Sequence, residues 1–252
     1  MGNHQTESFY ERIADKYHWF FSSWDNAMKR QMQELIPLLH INKVRTVLDC
    51  SCGTGLQAIG LAKEGFHVTG SDISNKMLEI ARKNAEKDGI KDIHFIQADF
   101  RDIQSKMNGS FDAVISFGNS IPHLHRNCDI LDAFTNIYNC LNNGGLAVFD
   151  IRNYDDMLIN KPKFLPMRIH DEKDEKIVSI LYVFDYLDDI IRFNVVYLVE
   201  DKTSGEKSME VEVSDYYPIK SAVFVDLLKE AGFINIEIIE KGSNIHFIGY
   251  KL

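Results

Sequence analysis

The densest chemistry in this sequence lies in the run Asp49-Cys50-Ser51-Cys52-Gly53-Thr54-Gly55 and in two acidic positions beyond it, Asp72 and Asp99. Glycine at 53 and 55 lets main-chain N–H groups approach a ligand where a Cβ would clash. The helix expected after them turns its positive end toward a negative group. Asp72, expected at a strand end, can accept both hydroxyls of a ribose diol. Asp99-Phe100 can bond the exocyclic amine of an adenine and cover its ring face. An adenosine-bearing ligand is therefore expected.

Gly53-x-Gly55-x-x-Ala58, with an acidic residue about twenty positions on, also matches the dinucleotide fingerprint. Three features weigh against NAD. Asp49, four residues ahead of the first glycine, would oppose a pyrophosphate but suits a sulfonium and an aminoacyl group. The adenine position follows the third strand, and the chain finishes in a helix and two strands that read as an antiparallel hairpin. The combination favours S-adenosylmethionine (SAM).

Three further runs could form an acceptor site: residues 117–124 (Phe117-Gly118-Asn119-Ser120-Ile121-Pro122-His123-Leu124), residues 150–155 (Asp150-Ile151-Arg152-Asn153-Tyr154-Asp155) and Tyr216-Tyr217-Pro218. Each has a plainer reading. An arginine after a strand is more often a surface ion-pair partner, and the tyrosine pair could be packing, with one of the two facing a cavity. His123-x-His125 lacks a third metal ligand, so a hydrogen-bonded structural role is preferred. Cys50-x-Cys52 has no matching pair downstream, and reduced thiols are expected rather than zinc ligands.

These runs need elements to position them. Apolar strands at 44–49, 67–71, 93–98, 113–117 and 146–151 alternate with helices at 56–64, 74–88 and 130–141, which predicts a parallel sheet covered on both faces. Strands at 176–186, 190–201 and 207–217 predict an antiparallel meander, and a helix at 221–231 with strands at 234–240 and 245–252 returns to the first sheet. The expected fold class is α/β: a doubly wound, mostly parallel seven-stranded sheet with an inserted antiparallel cap. The divisions are a helical lid at 1–40, a Rossmann-like core at 41–154, a cap at 155–218 and a completing segment at 219–252.

The 252 residues carry 37 Asp and Glu against 28 Lys and Arg, a formal charge of -9. Such a surface repels phosphate backbones, so nucleic acid is not an expected partner. No apolar run approaches the ~20 residues of a membrane span and no leader is evident, so a cytoplasmic location without membrane association is expected. The charged run at 171–176 reads as a solvated turn.

Together, the cofactor motif and the runs G-N-S-x-x-H-L, D-x-R-N-Y-D and Y-Y-P resemble the glycine and sarcosine N-methyltransferases, over most of the chain from Tyr10 onward. Nearer likeness is to the microbial enzymes that begin synthesis of the osmolyte betaine. The resemblance implies SAM as cosubstrate, S-adenosyl-L-homocysteine as product, no metal, and glycine and sarcosine as acceptors. It implies that Arg152 binds the acceptor carboxylate, with Asn119 and Tyr216 as further substrate contacts. On the SAM side it implies Ser51, Asp72, Asp99, Phe100 and Phe117, with Tyr10, Trp19 and a basic residue near 29–30. Arg30 is preferred there because a guanidinium can grip a carboxylate bidentately. Phe100 stands where the vertebrate glycine enzyme has tryptophan, and the segment around Tyr10 and Trp19 departs most from it. Methyl transfer to an amine is an in-line displacement that needs alignment rather than a nucleophilic triad. His123 is a candidate relay. Competing readings are a SAM-dependent O- or N-methyltransferase for another small carboxylated metabolite, a SAM sensor or buffer with little turnover, and an NAD-dependent reductase.

Overall fold

A computed structural model describes residues 2–172 and 175–252. Helix α1 (Gly2–Ile13), a 3-10 segment (Ala14–Phe20) and helix α2 (Trp24–Ile41) come first. Then follow β1 (Thr46–Asp49), α3 (Leu56–Lys63), β2 (His67–Asp72), α4 (Asn75–Lys87), β3 (His94–Gln97), the single turn α5 (Ile103–Lys106), β4 (Phe111–Ser116), α6 (Asn127–Asn139), β5 (Leu141–Arg152) and α7 (Tyr154–Asn160). Four consecutive strands come next: β6 (Phe164–Glu172), β7 (Lys176–Tyr186), β8 (Ile191–Asp201) and β9 (Lys207–Tyr216). Helix α8 (Ser221–Glu230), β10 (Ile234–Lys241) and β11 (Asn244–Tyr250) close the chain.

The main sheet runs β10-β11-β5-β4-β1-β2-β3. β1 to β5 are parallel, and β11 is antiparallel to both β5 and β10. The expected seven-stranded sheet with an antiparallel finish is present. Successive residues of its central strands point to opposite faces. Val47, Ala113, Ile115 and Val148 join α2 and α3 in one apolar cluster. Leu48, Val114, Ala147 and Phe149 join α6 and α8 in another. Both faces are buried, which is why these strands read as continuous apolar runs.

The second sheet is β6-β7-β8-β9, antiparallel throughout, with one strand more than the sequence signals. β6 is an edge strand containing Pro166, its register slips between Pro166 and Arg168, and it buries little, so both local signals for a strand are weak. Within the 171–176 run, Asp171 and Glu172 end β6 and Lys176 begins β7, while Lys173 and Asp174 lie outside the described residues, as does Met1.

The N-terminal segment also departs from expectation, because it is not one lid. Helix α2 packs on α3 through Met28, Met32, Leu35 and Leu39, spaced to share one stripe, and so lies on a face of the main sheet. Only α1 and the 3-10 segment lie over the strand ends. Glu11 on α1 accepts the Ser74 hydroxyl at 2.7 Å and the Lys76 N–H at 3.0 Å, placing a carboxylate at the positive end of α4. Arg12 pairs with Glu212 at 2.8 Å and Lys16 pairs with Glu210, both on β9. The segment thus ties the two sheets together. No described helix is long and apolar enough to cross a membrane.

Candidate active site at the carboxyl ends of the strands

Two cavities meet under α1. The first lies against the ends of β1, β2 and β4 and is lined by Ser51, Gly53, Asp72, Asp99, Phe100 and Phe117 among others. The second lies between β5 and the second sheet, where Asn119, Arg152, Tyr182, Phe193 and Tyr216 meet rings from the N-terminal segment. Tyr10 and Tyr17 line both.

The β1–α3 loop builds the floor of the first cavity. Gly55, at φ +92°, caps α3, and a Cβ there would come within 3.0 Å of Ile59 Cδ1 and 3.2 Å of Ala81 Cβ. Glycine is required by both the backbone conformation and the close approach of α4. Asp72 accepts the N–H groups of Gly53 and Ser74, each at 2.9 Å. Burial outweighs those bonds and lifts its carboxyl from 3.8 to about 6. Asp49 is fully buried beneath the loop. Burial, opposed by the Ser51 N–H and reinforced by the nearby Asp72 carboxylate, lifts it from 3.8 to about 8. Its Oδ2 has no hydrogen-bond partner among the described residues. Asp99 is held by Arg101, whose main-chain N–H and Nε bond Oδ1 at 2.9 and 3.1 Å and whose Nη2 bonds Oδ2 at 3.0 Å. Cys50 and Cys52 are buried and free, and burial pushes both thiols up.

In the second cavity the turn after β4 is set by Gly118 and Asn119, at φ +79° and +64°. Asp150 stabilises it, its Oδ2 accepting Gly118 N–H at 3.1 Å and its main-chain carbonyl accepting Asn119 N–H at 3.1 Å. Asn119 Oδ1 accepts the main-chain N–H of Arg152 at 3.0 Å, and Asn119 Nδ2 donates to the buried Tyr154 hydroxyl at 2.9 Å. The Arg152 guanidinium lies 5.3 Å from the Tyr182 ring centre and 5.6 Å from that of Phe193. It has no carboxylate partner among the described residues. A half-buried cation held by ring faces and the Met167 sulfur, 3.9 Å from Nη2, is set to receive an anion.

Between the cavities, Tyr10 Oη lies 2.9 Å from His123 Nε2, and the His123 and Tyr216 ring centres are 4.3 Å apart. Burial lowers His123 from 6.5 to about 3, so its ring is neutral. Burial also raises the Tyr10 and Tyr216 hydroxyls well above their ordinary range.

Comparison with known proteins decides the chemistry of this arrangement. Residues 47–145 match the family described as "Methyltransferase domain". The chain is 34% identical over 157 residues to a glycine/sarcosine N-methyltransferase of Parasynechococcus marenigrum (strain WH8102), covering 62% of this chain and 55% of that one. It is 33% identical over 218 residues to the glycine N-methyltransferase of Oryctolagus cuniculus, covering 78% of this chain and 72% of that enzyme. The chain belongs to the SAM-dependent methyltransferases. Its fold matches that of a SAM-dependent methyltransferase from Clostridium acetobutylicum, with TM-score 0.74 at 21% identity, over 88% of this chain and 91% of the other. The match to the Parasynechococcus enzyme spans little more than half of that protein's length.

This methyltransferase uses SAM, and the first cavity fits it. The buried Asp49 carboxyl beneath the loop keeps Oδ2 without a partner among the described residues, and acidic and aromatic side chains stand after β2, β3 and β4. Of the residues expected on the SAM side, the structure brings Tyr10, Ser51, Gly53, Asp72, Asp99, Phe100 and Phe117 together in the cavity wall. Asp49 and Gly55 support the loop from behind. Trp19 and Arg30 are not brought to either cavity. The 3-10 segment repeats every three residues, so Tyr17 and Phe20 share a side and line the second cavity. Trp19 turns to the second sheet, donating to Glu172 at 2.7 Å and lying 5.8 Å from the Tyr197 ring. Arg30 is exposed on α2, opposite its packed stripe. On the acceptor side, Asn119, Arg152 and Tyr216 share the second cavity, and His123 lines the first.

Tyr17, Tyr182 and Phe193 had no place among the expected site residues. Tyr17 carried a signal in the aromatic run 17–21. The other two are ordinary core aromatics by pattern, and only the packing of β7 and β8 around Arg152 gives them a place in the site.

Proposed function

We propose that the enzyme methylates the amine of a small amino acid, glycine to sarcosine and sarcosine to dimethylglycine, with the acceptor carboxylate held by Arg152. The observation that carries this is the guanidinium of Arg152, without a carboxylate partner among the described residues and half-buried between Tyr182 and Phe193 in the cavity next to the SAM cavity. The names of the Parasynechococcus and Oryctolagus relatives support the same acceptors. A role in feeding synthesis of the osmolyte betaine is part of this reading.

SAM supplies an activated methyl group on a sulfonium, and the residues supply alignment. Asp72 accepts the ribose hydroxyls, Asp99 the adenine amine, and Phe100 covers the adenine ring. Ser51 and Phe117 flank the same cavity, and Asp49 offsets the positive charge of the sulfonium and ammonium groups. No Lys or Arg lines that cavity among the described residues. The aminoacyl carboxylate therefore falls to neutral donors, the Tyr17 hydroxyl and the loop amides. At the acceptor, the guanidinium fork fixes the carboxylate and Asn119 fixes Arg152. Tyr10, His123 and Tyr216 form the wall across which the nitrogen meets the methyl. His123, at about 3, is too weak a base to take the amine proton. The proton is lost to water before the N-terminal segment closes.

A second reading is favoured by the cavity itself. Phe9, Phe20 and Phe21 join the rings around Arg152, an apolar lining that would also suit a larger carboxylated amine with an apolar side chain. Mass-resolved product analysis with SAM and glycine, sarcosine or apolar N-methylatable amino acids separates the two. Mono- and dimethylated glycine are expected. Products from the larger acceptors alone would favour the second reading. Tight SAM binding with no methylated amine would instead make the chain a SAM-binding module.

A further inference from the structure

Away from both cavities, the 3-10 segment brings His18 against two side chains of β6, His170 and Glu172. These two stand two positions apart on an extended strand and so project from one face. Each of the three offers one ligand atom, and all these atoms lie within 4.8 Å of one another. His18 Nε2 is 3.0 Å from Glu172 Oε1, and the His18 and His170 rings are 5.6 Å apart at 88°.

The surroundings hold these groups in place. His170 Nδ1 lies 3.0 Å from the Phe21 carbonyl oxygen, an acceptor only, so Nδ1 carries the proton and the lone pair is on Nε2. A second ring nitrogen bound to a backbone carbonyl is how a ligating imidazole is usually fixed. The Trp19 indole donates to Glu172 Oε1 at 2.7 Å, and the Lys176 ammonium lies 3.4 Å from Oε2. Two imidazoles and one carboxylate suit a borderline dication in a tetrahedral site, with a fourth position for water. The His18 side chain is 54% exposed, so solvent reaches the group.

We propose that His18, His170 and Glu172 bind a transition-metal dication of the Zn²⁺ type, and that the ion pins the N-terminal segment to the second sheet. The ion takes no part in methyl transfer. It acts on the segment whose Tyr17 lines both cavities and whose preceding helix carries Tyr10. A bound ion therefore holds that cover closed. Lys176 opposes it by charge, and its loss strengthens the site.

The test is titration of the full chain with Zn²⁺ and with Co²⁺ as spectroscopic probe. Every protein carries Cys128→Ser, so that the exposed thiol cannot serve as ligand. Expected are one Zn²⁺ per chain, visible Co²⁺ bands of a tetrahedral nitrogen and oxygen site without a thiolate charge-transfer band, and a higher Tm with Zn²⁺. His18→Gln and His170→Gln should each weaken binding at least tenfold, and Lys176→Gln should tighten it several-fold. Absence of saturable Zn²⁺ binding, or equal affinity in the parent and both histidine variants, would overturn the proposal. Neither result bears on the acceptor, which is read separately from the methylated products.

Discussion

The side-chain carbonyl of Asn119 accepts the main-chain N–H of Arg152 at 3.0 Å, so the turn after β4 holds the end of β5. The same amide bonds the Tyr154 hydroxyl, a group fully enclosed in the core. Asn119 thus acts on the acceptor through Arg152, as a positioning residue.

Removing that amide leaves two buried groups unpaired, each worth about 1–3 kcal/mol. Asn119→Ala is expected to lose about 2–4 kcal/mol of stability and to raise acceptor KM, while SAM affinity stays near the parent value. Asn119→Gly tolerates the left-handed backbone and isolates the amide from strain. Denaturant unfolding and steady-state kinetics on both variants check this. Unchanged acceptor KM in a folded Asn119→Gly protein would show that the amide positions nothing.

Asp49 sets stability against function. Its ordinary carboxyl value of 3.8 is raised to about 8 in the folded protein, so ionising it costs the folded state. The cost is absent below about pH 4, where both states are protonated, grows as pH rises, and is complete above about 8. Asp49→Asn should therefore stabilise the ligand-free protein near pH 8.5, on the order of a few kcal/mol. The gain should fade toward pH 4, and the loss of SAM affinity should be largest above about pH 8, where the parent carboxylate is ionised. Calorimetry across this range measures it, and an equal gain at every pH would refute the assignment to charge.

Asp72 gives SAM binding its own pH dependence. A ribose diol donates to the carboxylate, so binding favours the ionised form of a group whose ligand-free value is about 6. Beyond the fall that Asp49 imposes below about pH 8, SAM affinity should drop further below pH 6, by up to about tenfold more per pH unit. Asp72→Asn should bind more weakly and remove that further drop. An affinity constant from pH 8 to 5 in the parent would contradict the role.

No group in the wall between the cavities is poised to act as base near neutrality. His123 sits near 3, and the Tyr10 and Tyr216 hydroxyls are pushed up. The rise of acceptor kcat/KM with pH should then follow the ionisation of the amine itself. Profiles for two acceptors of different amine basicity should be displaced from each other accordingly. A common limb near neutrality for both would reveal a protein base.

What the sequence made legible follows from the range of each signal. The β1–α3 loop, the acidic ends of β2 and β3 and the antiparallel finish are local patterns, and the structure carries all of them. β6 escaped because Pro166 and a half-exposed edge weaken both alternation and propensity. Trp19 is expected from the resemblance alone, and a run of aromatics does not reveal whether the backbone repeats every 3.0 or 3.6 residues, which is what turns Tyr17 rather than Trp19 to the cavities. Tyr182 and Phe193 come beside Arg152 only through the pairing of β7 with β8, a relationship between strands that neither strand encodes alone.

The most direct measurement is sarcosine kcat/KM in the parent and in Arg152→Lys, with SAM affinity measured alongside. Lysine keeps the charge and loses the fork. A fall of about 10- to 100-fold is expected, the loss of one charge-assisted bond, with SAM affinity and folding unchanged. Unchanged sarcosine kcat/KM in a folded Arg152→Lys enzyme would contradict the account.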